Sequence, residues 1–167
     1  MNPEERPKLN IQLSPTDQVL ELLGWGVLLA LWIWTGMSYS SLPDTIPTHF
    51  NAAGEADGFG RKASIVSLPV VASLLYIGLT LLNRVPHSFN FPTPITQDNA
   101  LRQYTNATRM IRYLKLILVV VLAGISYQTI QQANGTGDGL GLWFLPLTLG
   151  LIFMPLLYFV IKSFQTK

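Results

Sequence analysis

Residues 43–60 read PDTIPTHFNAAGEADGFG and hold one of the chain's two histidines and three of its nine acids. Asp44, His49, Asn51, Glu55 and Asp57 can each ligate a metal or meet a cation. A histidine with carboxylates suits zinc or manganese, and carboxylates with an amide oxygen suit calcium. The spacing is not that of an EF-hand loop, and one histidine with three acids is a weak metal signature. A divalent metal is the one cofactor this stretch admits; nothing else in the sequence calls for one. Hydrolysis needs a second catalytic group. Only Ser40 and Ser41 stand near His49, and they do so by sequence proximity alone. A non-enzymatic role needs less: Phe50 and Phe59 beside the acids make a docking surface for a cationic or amphipathic peptide. His49 adds a side chain of the type that senses pH.

Much of this stretch is spent on shape. Pro43 and Pro47 push Leu42 and Ile46 toward extended backbone. Residues 48–51 then read as a short strand and residues 59–62 as its return. Between them Asn51, Gly54, Asp57 and Gly58 are turn formers. Gly60 adds a further residue without a side chain. The expectation is a compact hairpin-like cap.

Four long charge-free runs must position that cap: Leu22 to Pro43, Ala63 to Asn83, Leu116 to Gly137, and Gly139 to Ile161. About 20 apolar residues cross a bilayer as a helix. Each run is long enough, the third with help from its flanks. Hydrophobic residues make up 49% of the chain and charged ones 12%, too little polar surface to cover four such helices in water. The expected fold class is an all-α integral membrane protein. Four transmembrane helices carry a structured extracytoplasmic loop between the first and second.

The expected organisation is a polar amino-terminal segment over 1–16, with Pro3, Pro7 and Pro15. A membrane domain over 17–132 follows, with helices at about 17–40, 63–83 and 98–132. Residues 133–167 supply a Gly-rich turn, a fourth helix and a short tail ending at Lys167. The first apolar run is too long for a secretory signal and follows a polar lead, so it reads as a retained helix. Ser14 or Thr16 is placed to cap the first helix, and Thr96 or Asp98 the third. Residues 126–129, SYQT, predict interhelical hydrogen bonds just below the hairpin end. No cysteine is present, which excludes disulfides, thiolate catalysis and cysteine-ligated zinc.

Lysine and arginine set the expected orientation. Arg6 and Lys8, the group Arg84, Arg102, Arg109, Arg112 and Lys115, and Lys162 with Lys167 fall on one side. Only Arg61 and Lys62 fall on the other. Nine against two puts both termini in the cytoplasm and the 43–62 loop outside. No ionisable residue is expected near a midplane. Glu21 and Lys115 are expected at the cytoplasmic ends, where long side chains snorkel toward water. A transporter or pump is therefore disfavoured. No basic stripe with interleaved aromatics points to nucleic acid.

The run LPDTIPTHFNAAGEADGFGRK, residues 42–62, resembles the bacterial membrane family known as domain of unknown function 1648. Leu42, Pro43, Ile46, Pro47, His49, Phe50, Asn51, Gly54, Asp57 and Gly58 carry the resemblance. It implies a multi-pass protein of the bacterial plasma membrane and covers about residues 24–130. The same domain opens the SdpI-type immunity proteins, which protect bacteria from a secreted toxic peptide and can signal its presence. This chain lacks their second half. Its partners are then the lipid bilayer and an extracytoplasmic peptide. The alternatives are a metal-binding module, or a structural subunit packing Gly24, Gly26, Gly36 and Gly150 against a membrane partner.

Overall fold

The computed structural model describes residues 6–165; Pro3 and Lys167 lie outside the described residues. Helix α1 spans Pro15–Ser38 and ends in a single 3-10 turn over Tyr39–Ser41. Strands β1 (Thr45–Phe50) and β2 (Ala56–Arg61) follow. A second 3-10 turn, Lys62–Val66, leads into α2 (Ser67–Leu82). Helices α3 (Ala100–Ala133) and α4 (Phe144–Gln165) complete the chain. All four helical segments are long and apolar enough to cross a membrane. The one sheet among the described residues is the two-stranded β1–β2 hairpin. The molecule is therefore mostly helical, with a small β element where the sequence placed a structured loop.

Local chemistry explains the boundaries. Ser14 caps α1 through a reciprocal capping box. Its hydroxyl accepts from the Asp17 backbone N–H at 3.3 Å, while the Asp17 carboxylate accepts from the Ser14 N–H at 3.0 Å. Pro15 sits in the first turn, where its missing donor has no intrahelical bond to lose. Ahead of α3, Thr96 and Asn99 exchange the same kind of pair at 2.9 and 3.3 Å. Pro69 falls in the first turn of α2 and is tolerated for the same reason as Pro15. Pro155 lies inside α4 and removes one helical hydrogen bond there.

Side-chain pairs fix how the helices run. Asp17 meets Arg109, Glu21 meets Arg112, and Thr35 meets Ser126. The sequence offset stays near constant, so α1 and α3 lie side by side and parallel. Asn106 donates to the Phe159 carbonyl at 2.8 Å, and Gln103 to the Ser163 carbonyl at 2.9 Å. Those pairs make α4 antiparallel to α3. Asn83 of the α2 end reaches the Thr108 carbonyl at 3.1 Å, so α2 also returns antiparallel. Helix α3 is thus the post that the other three lean on.

Three apolar clusters lie along this post, the one at its start formed by Ile95, Ala100 and Tyr104. Leu28, Leu31, Ala72, Tyr76 and Val119 fill the middle of the bundle. Leu42, Ile46, Ile65 and Ile130 seat the hairpin on it. The Thr35–Ser126 hydroxyl pair, 3.3 Å apart and buried, confirms hydrogen bonding between helices below the hairpin. The outward faces are strongly apolar: Leu22, Met37 and Met154 are each about three-quarters exposed. A surface of this kind belongs in hydrocarbon rather than water. The chain has the build of a multi-pass membrane protein.

Candidate functional site

The hairpin is built by turn chemistry. The Asn51 side-chain oxygen accepts from the backbone N–H groups of Ala53 at 2.9 Å and Glu55 at 3.0 Å. Its amide donates to the Glu55 carboxylate at 3.1 Å. Asn51 is therefore the staple of the turn, and its polar groups are spent inside the loop. Gly54 takes φ +79°, a left-handed conformation that glycine adopts without penalty. Pro43 is exposed at the bend into β1, where it steers the chain into the strand. Pro47 lies within β1, opposite Phe59, and is buried. A two-stranded ribbon has two edges, so a proline whose nitrogen faces away from the partner costs no ladder bond.

The pairing register carries two irregularities. Pro47 faces Phe59 and His49 faces Gly58, which leaves Thr48 as an extra residue on β1. Phe50 then faces Ala56, leaving Asp57 as an extra residue on β2. Paired bulges of this sort re-aim side chains. Here they bring the Asp57 carboxylate onto Nδ1 of His49, a contact between exposed groups on the two strands. Gly58 permits the approach: a Cβ there would sit 2.9 Å from the His49 Cβ. Gly60 makes the same room beside Thr48.

The other candidates are not part of that pair. Asp44 turns away to Lys62 at 3.2 Å, where Lys62 also lies over the Tyr39 ring. Glu55 stays with Asn51. The five predicted residues therefore form three separate couples rather than one ligand shell. Among the described residues no group of three or more His, Cys, Asp or Glu side chains comes together to hold a metal ion.

The hairpin does not stand alone. The Leu140 N–H donates to the Gly54 carbonyl at 2.8 Å, and Gln128 of α3 holds the Gly139 carbonyl at 2.9 Å. The α3–α4 loop is thereby tied to the hairpin turn, a contact that no local sequence signal announced. Two apolar hollows flank the hairpin. One, of about 270 Å³, lies under Ile46, His49 and Phe50 against Leu68 and Ile125. The other, of about 280 Å³, lies between Phe50, Gly54, Leu140 and Phe144. Phe59 projects from β2 and is 63% exposed.

At the opposite end of the bundle the structure corrects the sequence reading. Lys115 does not snorkel outward; its side chain is fully buried among α1, α2 and α3. Its ammonium donates to Glu21 at 2.6 Å and to the Thr80 hydroxyl at 2.7 Å, and lies 4.3 Å from the centre of the Tyr76 ring. The Tyr76 hydroxyl donates to the Glu21 backbone carbonyl at 3.1 Å and lies 3.3 Å from its carboxylate. Arg112 approaches the other carboxylate oxygen at 3.2 Å. One turn nearer the helix start, Arg109 grips both oxygens of Asp17 at 2.9 and 3.0 Å. Gly24 belongs here too: a Cβ would collide with the Tyr76 ring, so this glycine serves the internal packing rather than an outside partner. The signal was present in the sequence. Asp17 and Glu21 are four apart on one helix, and Arg109, Arg112 and Lys115 are three apart on another, so each set lines one face.

A family model described as "Domain of unknown function (DUF1648)" matches residues 26–72, from α1 through the hairpin into α2. That is a shorter span than the 24–130 implied by the sequence resemblance. The chain is similar to an uncharacterized protein of Archaeoglobus fulgidus, 32% identical over 93% of this chain and 88% of that protein. No solved structure matches.

Proposed function

The chain belongs to the DUF1648 family, and on that premise we propose that it is a non-enzymatic binding protein of the plasma membrane. Its hairpin recognises a cationic, amphipathic peptide outside the cell. The observation that supports this reading most is a hairpin stapled by Asn51 and flanked by two apolar hollows. Glu55 and Asp57 are exposed beside them, and Asp44 and Asp138 lie at the same end. The bases there are Arg61 and Lys62, so that face is net acidic with histidine neutral. Apolar side chains of a peptide would enter the hollows while its cations meet Glu55 and Asp57. His49 positions Asp57 and adds a ring surface. The orientation rests on the lysine and arginine bias, which puts both termini and the Glu21–Lys115 end in the cytoplasm. An SdpI-like immunity or signalling role is the biological form such recognition would take.

The test is binding of a fluorescent synthetic lysine–leucine amphipathic peptide to the protein in zwitterionic nanodiscs, with empty nanodiscs as control. Two exposed charges at roughly 0.5–1 kcal/mol each correspond to about a tenfold loss of affinity. Glu55→Gln with Asp57→Asn should show that loss, and raised salt should mimic it. Equal binding by wild type and the double variant would remove the hairpin from the role. Stoichiometric zinc or manganese lost on His49→Ala would instead make these residues a metal site.

A further inference from the structure

A cavity of about 650 Å³ opens at the end of the bundle away from the hairpin, between the segment from Lys8 to Leu13, α1, the end of α2, and α3. We propose that it binds the phosphate headgroup of an anionic phospholipid. This inference stands apart from the peptide reading, since it uses none of the hairpin residues.

The site is built on Arg112, which lines the cavity and has a side chain only 7% exposed. Its Nε is spent on Glu21. Its two terminal nitrogens have no hydrogen-bond partner among the described residues. Those N–H groups open onto the cavity, and their planar fork matches the oxygens of a phosphate. Glu21 does not satisfy that demand, because the same carboxylate already serves Lys115 and Tyr76.

Two further cations line the cavity, Lys8 and Arg84. Both are exposed, and neither side chain has a partner among the described residues. Among the described residues Glu21 is the single acid in the lining. The cavity is thus cationic even before Lys115, buried behind Glu21, is counted. The rest of its wall is mixed: Leu9, Ile11, Leu13 and Trp25 are apolar, while Asn10, Thr80, Asn83 and His87 add polar groups. The first methylenes of a lipid would cover its apolar part, and the glycerol oxygens would meet its polar part. The position agrees with this. Glu21 lies six residues into α1, about 9 Å along the axis at 1.5 Å per residue. The cavity therefore runs from the headgroup level toward the acyl region. Basic pockets between membrane helices on the cytoplasmic side are suited to anionic headgroups.

The experiment uses the full chain purified in a neutral detergent, with thermal unfolding and native mass spectrometry as readouts. Phosphatidylglycerol is expected to raise the unfolding midpoint and to remain bound, while phosphatidylcholine does neither. Lys8→Gln with Arg84→Gln should weaken phosphatidylglycerol binding about tenfold. Arg61→Gln, a charge loss at the hairpin end, should not change it. Neither lysine nor arginine in that double variant belongs to the buried ion pairs, so a folding failure is not expected to mask the result. Equal binding of the two lipids, or equal binding by wild type and the double variant, would overturn the proposal. So would inorganic phosphate at millimolar concentration reproducing the shift and displacing the lipid, which would mark a free-phosphate site.

Discussion

Glu21→Ala is expected to destabilise the protein by roughly 3 kcal/mol, because it strips the countercharge from a fully buried ammonium. In the wild type Lys115 has three neighbours that accept its charge: the Glu21 carboxylate, the Thr80 hydroxyl and the Tyr76 ring. The variant leaves it a neutral oxygen and a ring face. Tyr76 also loses the Glu21 carboxylate as a neighbour, though not the backbone carbonyl to which it donates. Removing Lys115 together with Glu21 should cost less than removing Glu21 alone, because only Arg112 is then left without its carboxylate. A well-packed apolar replacement of a buried pair is often neutral, whereas a broken pair leaves an uncompensated charge. Glu21→Leu combined with Lys115→Met should therefore recover at least about 1 kcal/mol relative to Glu21→Ala. Equilibrium unfolding in a mild detergent measures both. A single variant as stable as the wild type would show that the ammonium reaches water and that the packing described around it is wrong.

Gly54→Ala is expected to undock the two loops at the hairpin end, at a cost of about 2–4 kcal/mol from strain and overpacking together. The backbone at Gly54 has φ +79°, which an L side chain resists. A Cβ would also be driven into the backbone of Gly141. That residue cannot yield easily, since Leu140 beside it donates to the Gly54 carbonyl and Gln128 holds Gly139. The expected signature is local. Amide exchange at Leu140 and protease cleavage in the 134–142 loop should rise, while the helices of the bundle keep their protection. Peptide binding should fall as well, because the hollow between Phe50, Leu140 and Phe144 would lose its shape. Unchanged exchange at Leu140 would count against the docked arrangement.

The four helices were legible because hydropathy reports burial in lipid directly, residue by residue. The hairpin was legible in part. Its existence and its turn followed from Asn51 and Gly54, but Asp57 and Gly58, read as turn formers, lie in the second strand, and the first strand starts at Thr45 rather than residue 48. Pro47 lies inside that strand, and a ribbon with only edges tolerates what a wider sheet would not. The pairing of His49 with Asp57 depends on two bulges, which leave no mark in composition. The buried network was missed for a different reason. Reading each charge by its depth along one helix assigns Glu21 and Lys115 to the water side. Only the register between α1 and α3 turns them toward each other, and register is a tertiary property. The tie between Gly54 and Leu140 joins residues 86 apart in the sequence and was likewise beyond local patterns.

Every role given to the hairpin requires that it face outward. The chain has no cysteine, so single introduced thiols report position without background. Ala52 is exposed at the hairpin turn, and Ser88 is exposed at the other end of the bundle. Ala52→Cys should react with a membrane-impermeant maleimide in intact cells, and Ser88→Cys only after the membrane is permeabilised. Labelling of Ser88→Cys in intact cells with Ala52→Cys protected would place the hairpin in the cytoplasm and contradict its role in recognising an outside peptide.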